Sequence, residues 1–212
     1  LKKTFCKIIF LLLAALLPIA VFISCSSGIV KITYEDGKYI DKTNGITYLP
    51  AGDSYEPTAI GEPYAEYDGG TLYNIPGLDP ELWLAEEYDG IGSIFYSEET
   101  ELPALENFGA TEAYICVEDA ITMHLQTIDN QSVINRIIEA LTGCEDNLQL
   151  PSGGTSYHIK FMSETYPGIY YDILYVECDS GDYLYDRDTK QCCDAGRILK
   201  AYLSDTPETE GA

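Results

Sequence analysis

The residues with which this chain could do chemistry are two histidines, a set of cysteines and two acidic hairpins. His124 and His158 both fall on the polar faces of predicted strands. Two ligands do not close a metal site, so both are expected to be surface histidines. Beyond residue 25 stand Cys116, Cys144, Cys178, Cys192 and Cys193. No C-x-x-C occurs among them, so neither a zinc ribbon nor a thioredoxin-like redox motif is supported. Neighbouring side chains of an extended segment point to opposite faces, so Cys192 and Cys193 do not readily share one partner strand. Each thiol is read as a small buried hydrophobe. The sharper expectation is a bridge from Cys116 or Cys178 to one of the adjacent pair.

The stretch CDSGDYLYDRDTK brings Asp179, Asp182, Asp186 and Asp188 into one hairpin, and YEDGKYID adds Glu35, Asp36 and Asp41. The calcium-loop spacing D-x-[DN]-x-[DN]-G is missing from both, which leaves solvated turn carboxylates as the expectation. There is no nucleophile elbow, zincin helix or phosphate loop. An acid pair drawn from Glu81, Glu86 and Glu87, or a dyad of Cys116 with His124, has little content. Catalysis needs a fixed separation and pKa values driven apart, and sequence supplies neither. No catalytic, cofactor-binding or metal-binding residue is therefore assigned, and a binding role is favoured over an enzymatic one.

Binding by aromatic contact is the remaining possibility. Tyr64, Tyr67, Tyr73 and Tyr88 cluster with the lone Trp83 among Gly, Pro and acids. Such residues offer contact area with a polar handle, so an exposed recognition face around Trp83 is expected. Charge narrows the partner. The chain carries −23, and because residues 1–24 hold Lys2, Lys3 and Lys7 with no acid, all of that excess falls on the remainder. Such a surface repels nucleic acid, whose affinity comes from Lys and Arg displacing counterions. Divalent cations or basic partners stay open.

The elements that must position these residues change along the chain. Residues 31–50 read as a β-meander, with tight turns at Asp36-Gly37 and Asn44-Gly45. Residues 51–110 are rich in Pro and Gly and keep neither period for long. One helix is expected there, capped by Asp79 with Pro80 in the first turn and running through Trp83 to about Tyr88. SIFYS (93–97) is a candidate strand. From 111, EAYICVEDAITMHLQTI predicts paired strands, and NQSVINRIIEALTG predicts a helix capped by Asn130 and stopped by Gly143. Three antiparallel strands follow, with Tyr157, Ile159 and Phe161 inward, then a last short helix in DAGRILKAYL. This implies an α+β fold: an antiparallel sheet with two helices packed on it, preceded by the meander and the irregular region. The division is 1–24 signal peptide, 25–30 tether, 31–110 β-rich or irregular, 111–203 α+β, and 204–212 disordered tail, the middle two forming one domain or two.

The first 25 residues have their own pattern. Lysines precede an apolar run from Ile8 to Ile23, broken only by Pro18. At 1.5 Å per residue the run reaches about 24 Å, short of a roughly 30 Å hydrocarbon core. That is the layout of a secretory signal rather than a permanent span. Phe22, Ile23, Ser24 and Cys25 then resemble a lipobox, the signature of bacterial lipoproteins. The resemblance covers about the first 27 residues. Ser24 fits the pattern, whereas Phe22 stands where leucine is usual and Ile23 is larger than usual. It implies cleavage before Cys25, lipidation of its sulfur and display at the outer face of the bacterial cytoplasmic membrane, two or more acyl chains giving a stable anchor. The resulting expectation is a lipid-anchored, extracytoplasmic, non-catalytic module of the cell envelope. It would bind a protein, peptide or envelope ligand and no nucleic acid. A small envelope hydrolase or a calcium-dependent surface scaffold is the alternative.

Overall fold

A computed structural model describes residues 29–88, 91–119, 121–145 and 147–203. The signal peptide, Cys25 and the acidic tail lie outside these residues. Of the described chain 48% is strand and 11% helical, so the fold is mainly β. This corrects the expected α+β sheet with two packed helices.

The meander forms as its turns dictate. Strands β1 (Val30–Lys31), β2 (Thr33–Glu35), β3 (Lys38–Asp41) and β4 (Ile46–Pro50) carry the β-rich start. Between β2 and β3, Asp36 and Gly37 have φ of 53° and 80°, the two left-handed residues of a twist-matched hairpin turn. Buried Asp41 staples the next turn, accepting hydrogen bonds from the amides of Thr43 and Asn44 and from Asn44 Nδ2.

The irregular region is also sheet. It contains β5 (Tyr55–Pro57), β6 (Pro63–Tyr67), β7 (Gly70–Asn74), β8 (Trp83–Tyr88) and β9 (Ile91–Ser97). Eight strands in the order β1-β6-β7-β8-β9-β4-β3-β2 make one sheet. Residues 30–35 run along both of its edges: Val30 and Lys31 pair with Ala65 and Glu66, then Thr33–Glu35 pair with Ile40–Lys38. The sheet thereby curls into a nearly closed barrel around Ile32, Tyr39, Tyr48, Ala65, Leu72, Leu84 and Phe95.

The expected helix after Asp79 is strand β8. Its start signal does operate locally, since Asp79 Oδ1 accepts from Glu81 N and the amides of Leu82 and Trp83 bond to Asp79 O. The turn goes no further because both sides of the next segment are buried. Leu84 enters the barrel interior, while Trp83 and Ala85 enter a second core outside it. A strand serves two cores with its period of two, whereas a short helix has one apolar stripe.

That second core lies under a second sheet, ordered β11-β10-β12-β13-β14-β15, with β5 also paired to β13. Its strands are β10 (Ala110–Glu118), β11 (Thr122–Ile128), β12 (Thr155–Ser163), β13 (Ile169–Cys178), β14 (Gly181–Tyr185) and β15 (Cys192–Asp194). Helix α1 (Gln131–Thr142) covers one face. Asn130 Oδ1 caps it by accepting from Ser132 N at 3.0 Å, and Ile134, Ile137 and Leu141 are buried against Ile115, Ile159 and Phe161. The expected last helix is a single turn, α2 (Lys200–Leu203).

Strand β5 joins the two sheets, pairing Tyr55–Pro57 with Tyr171–Ile169. Where it passes the barrel, a Cβ on Gly92 would sit 2.3 Å from Pro57 Cγ. Gly92→Ala is expected to force this crossing apart and cost about 1–3 kcal/mol. An unchanged denaturant midpoint would show that the two sheets do not bear on each other there.

Candidate functional site

The face of the second sheet opposite α1 alternates with the apolar residues of the same strands. Cys116 pairs with His158 on β12 and with His124 on β11, Tyr114 with Lys160, Lys160 with Asp172, and Tyr170 with Glu56. Direct partners share a face, so one register collects an imidazole pair, an ammonium, two carboxylates and two phenols on one side. All of these but His158 and Asp172 line a cleft of about 1110 Å³ with Glu118, Arg187, Ile121, Thr122 and Thr127, and Pro57 and Gly92 at the barrel side.

Four of these side chains, with Glu118 and Arg187, close a ring in which acid and base alternate. Lys160 Nζ bridges Glu56 and Glu118. Glu118 Oε2 faces His158 Nε2 at 3.5 Å, and His158 Nδ1 meets Asp172 Oδ2 at 2.7 Å. Arg187 completes the circuit, binding Asp172 and, at 3.1 Å, Glu56. Lys160 and Asp172 are buried, with side-chain exposures of 8% and 0%, while Glu56, Glu118 and Arg187 are each about a quarter open.

The ring sets its members' protonation. Burial raises Glu56, but the hydrogen bond and charge of Lys160 outweigh it and hold the carboxyl below its usual range. Burial acts to lower Lys160, and its bonds to Glu118 and Glu56 overcome that and raise it. Asp172 goes the other way. Burial pushes it up to about 6 despite the hydrogen bond and charge of His158, and its Oδ1 has no hydrogen-bond partner, as is true of Arg187 Nε.

A raised carboxyl favours protonation in the folded state. Its stabilising contribution is full below the unfolded pKa near 4 and is lost as pH rises through about 6, a swing of about 3 kcal/mol. The depressed Glu56 contributes in the opposite sense, losing stability as pH falls below its unfolded value near 4.5. Asp172→Asn should therefore flatten the stability profile between pH 4 and 6. Denaturant titrations of both proteins across that range check this, and parallel curves would contradict it.

The structure redistributes the residues singled out in the sequence. His124 and His158 flank Cys116 on opposite sides, so they lie two strands apart, roughly 10 Å. They keep separate company. His124 Nε2 is 3.0 Å from Thr127 Oγ1 and its ring meets Tyr114 edge-on. A bulge beside Cys116 brings Thr127 to that face. Cys116 is 4% exposed, and burial raises its thiol. That is the reverse of an activated cysteine.

Glu56, Glu118 and His158 could offer three ligand atoms to a metal, but Lys160 already places a cation between the two glutamates. Three aspartates of the 178–190 hairpin, Asp182, Asp186 and Asp188, are bonded within the chain. Asp182 accepts from Tyr175 OH. Asp186 accepts from Tyr171 OH, Ser54 Oγ and the amides of Asp188 and Thr189. Asp188 accepts from the amides of Asp53 and Ser54. They tie the turn to β5 and so set Arg187 beside Glu56. Glu35 pairs with Lys42, and Glu86 accepts from Tyr39 OH and Tyr67 OH.

Trp83 is 4% exposed, packed against Tyr96 and Tyr166, so it does not centre an exposed aromatic face. Tyr64 and Tyr67 are half-buried against the barrel core, Tyr73 is half-buried on β7, and the side chain of Tyr88 lies outside the described atoms.

The expected cysteine pairing is also corrected. Cys193 bonds to Cys144, with Cα atoms 6.1 Å apart, and Cys116, Cys178 and Cys192 are free. Cys193 faces the core under α1, just past whose end Cys144 lies. Cys116 stands on the cleft face and Cys178 at the far end of β13, out of reach.

No protein family, curated protein or solved structure matches the chain. Among the described residues no helix is long and apolar enough to cross a membrane.

Sequence reasoning missed Glu56, Glu118, Lys160, Asp172 and Arg187. One signal was present: Asp172 interrupts the apolar strand IYYDILYV, and a charge there must find partners or disturb the core.

Proposed function

We propose that this chain is a non-catalytic binding module of the bacterial cell envelope, lipid-anchored through Cys25. Its ligand, a peptide or protein segment bearing basic and apolar side chains, is taken in the cleft of the second sheet. The observation that carries this reading is the closed ring. A wall of charges already paired with one another is rigid, and rigid polar walls orient a ligand at little entropic cost. Its bases are spent inside the ring.

The open rim is acidic and apolar, with exposed Asp119, Ile121 at 76% exposure and the rings of Tyr114 and Tyr170. A basic ligand also matches the −23 of the chain. Two observations support export. The lipobox-like Phe22-Ile23-Ser24-Cys25 ends the apolar run, and the Cys144–Cys193 disulfide suits an oxidising compartment.

The test is titration of the detergent-solubilised full chain with two labelled hexapeptides, acetyl-KVKLKV-amide and acetyl-EVELEV-amide. Saturable binding of the first alone is expected, weakened at least tenfold by Asp119→Lys. Equal binding of both, or of neither, would overturn the assignment. Retention of Cys25→Ala in the detergent phase to the same extent as the parent would remove the anchor.

A further inference from the structure

We propose that the ligand docks by strand addition: an extended basic peptide pairs with β11 as a further strand of the second sheet, its alternate side chains passing over the cleft beside Glu118 and Asp119. This rests on the cleft reading above and names the mode of recognition. The sheet has two ends, and they differ. At one end β15 is short and covered, since Leu148 N bonds to Cys192 O and Cys192 N bonds to Asn147 Oδ1. The barrel's edges are closed by residues 30–35. At the other end β11 is seven residues long and, among the described residues, pairs with β10 alone.

Edge strands of this length are usually protected by lysine, proline, a bulge or a covering segment, and β11 carries the bulge opposite Cys116. The sequence TMHLQTI has no charged residue and no proline, although 22% of the chain is charged. Thr122, His124 and Thr127 of β11 line the cleft together with Ile121, so a strand laid along this edge borders the cleft directly. Met123, on the other face, is 49% exposed and adds apolar contact.

Charge selects the occupant. Exposed Asp119 flanks one end of β11 and exposed Asp129 the other, with no lysine or arginine on the strand. A basic partner is favoured there, and a second copy of so acidic a chain is disfavoured.

The experiment compares acetyl-KVKLKV-amide with the same peptide N-methylated at three alternate amides, each added to the detergent-solubilised full chain. Fluorescence anisotropy gives affinity, and hydrogen exchange by mass spectrometry reads residues 122–128. Strand addition predicts at least tenfold slower exchange of the β11 amides with the unmodified peptide and at least tenfold weaker binding after methylation. Equal affinity of the two peptides without protection of β11 would overturn strand addition while leaving the cleft reading standing. Failure of both to bind would overturn both. A concentration-dependent dimer that protects β11 without peptide would make the occupant a second copy and refute the proposal.

Discussion

Replacing Lys160 by methionine is expected to destabilise the folded chain by about 3–5 kcal/mol, the usual result of removing one partner from a buried ion pair. Lys160 is 8% exposed and bridges Glu56 and Glu118. Methionine keeps much of the stem volume, so the loss is mostly of charge. Two carboxylates then face each other in a half-buried site, and the anion-rich remainder of the ring has only Arg187 and His158 to oppose it. Adding Glu56→Gln and Glu118→Gln should recover a large part of the loss, because it is the uncompensated charge that costs free energy. Denaturant melts of the parent, single and triple variants measure this directly. A loss under about 1 kcal/mol for Lys160→Met would class the ring with surface ion pairs.

Opening the Cys144–Cys193 bridge is the second large effect. It spans a sequence separation of 49, and loop closure of that length stabilises by about 4 kcal/mol in the chain-entropy account. For a chain of this size that corresponds to a melting temperature lower by about 10 °C. The bridge fastens the end of α1 to β15 over a core of Leu141, Leu184 and Leu199, so reduction should release the helix from the sheet first. A Cys144→Ser, Cys193→Ser protein should melt at the same temperature with and without reductant, while the parent shifts. A parent indifferent to reductant would show that helix packing alone holds this end.

The elements legible in the sequence were those exposed on one side. Helix α1 showed its cap, stripe and stop because one face meets water. The hairpin at Asp36-Gly37 showed itself because its left-handed backbone demands those residues. SIFYS (93–97) showed as a strand and is the body of β9, whereas residues 51–92 hid theirs for the opposite reason. Trp83, Leu84 and Ala85 are all buried, in two different cores, so no alternation of polar and apolar survives. The site was hidden by long range. Glu56 and Arg187 lie 131 positions apart and meet only because β5 leaves the barrel to pair with β13. Trp83, the lone tryptophan, belongs to the second core instead of an exposed face.

The central claim is that the cleft of the second sheet, and not the tyrosines around the barrel, receives the ligand. Amide chemical-shift mapping of the isotope-labelled full chain in micelles, titrated with acetyl-KVKLKV-amide, tests it most directly. The largest shifts are expected at Tyr114, Glu118, Thr122, His124 and Tyr170. Shifts centred on Tyr64, Tyr67 and Tyr73 with the cleft unmoved would contradict it.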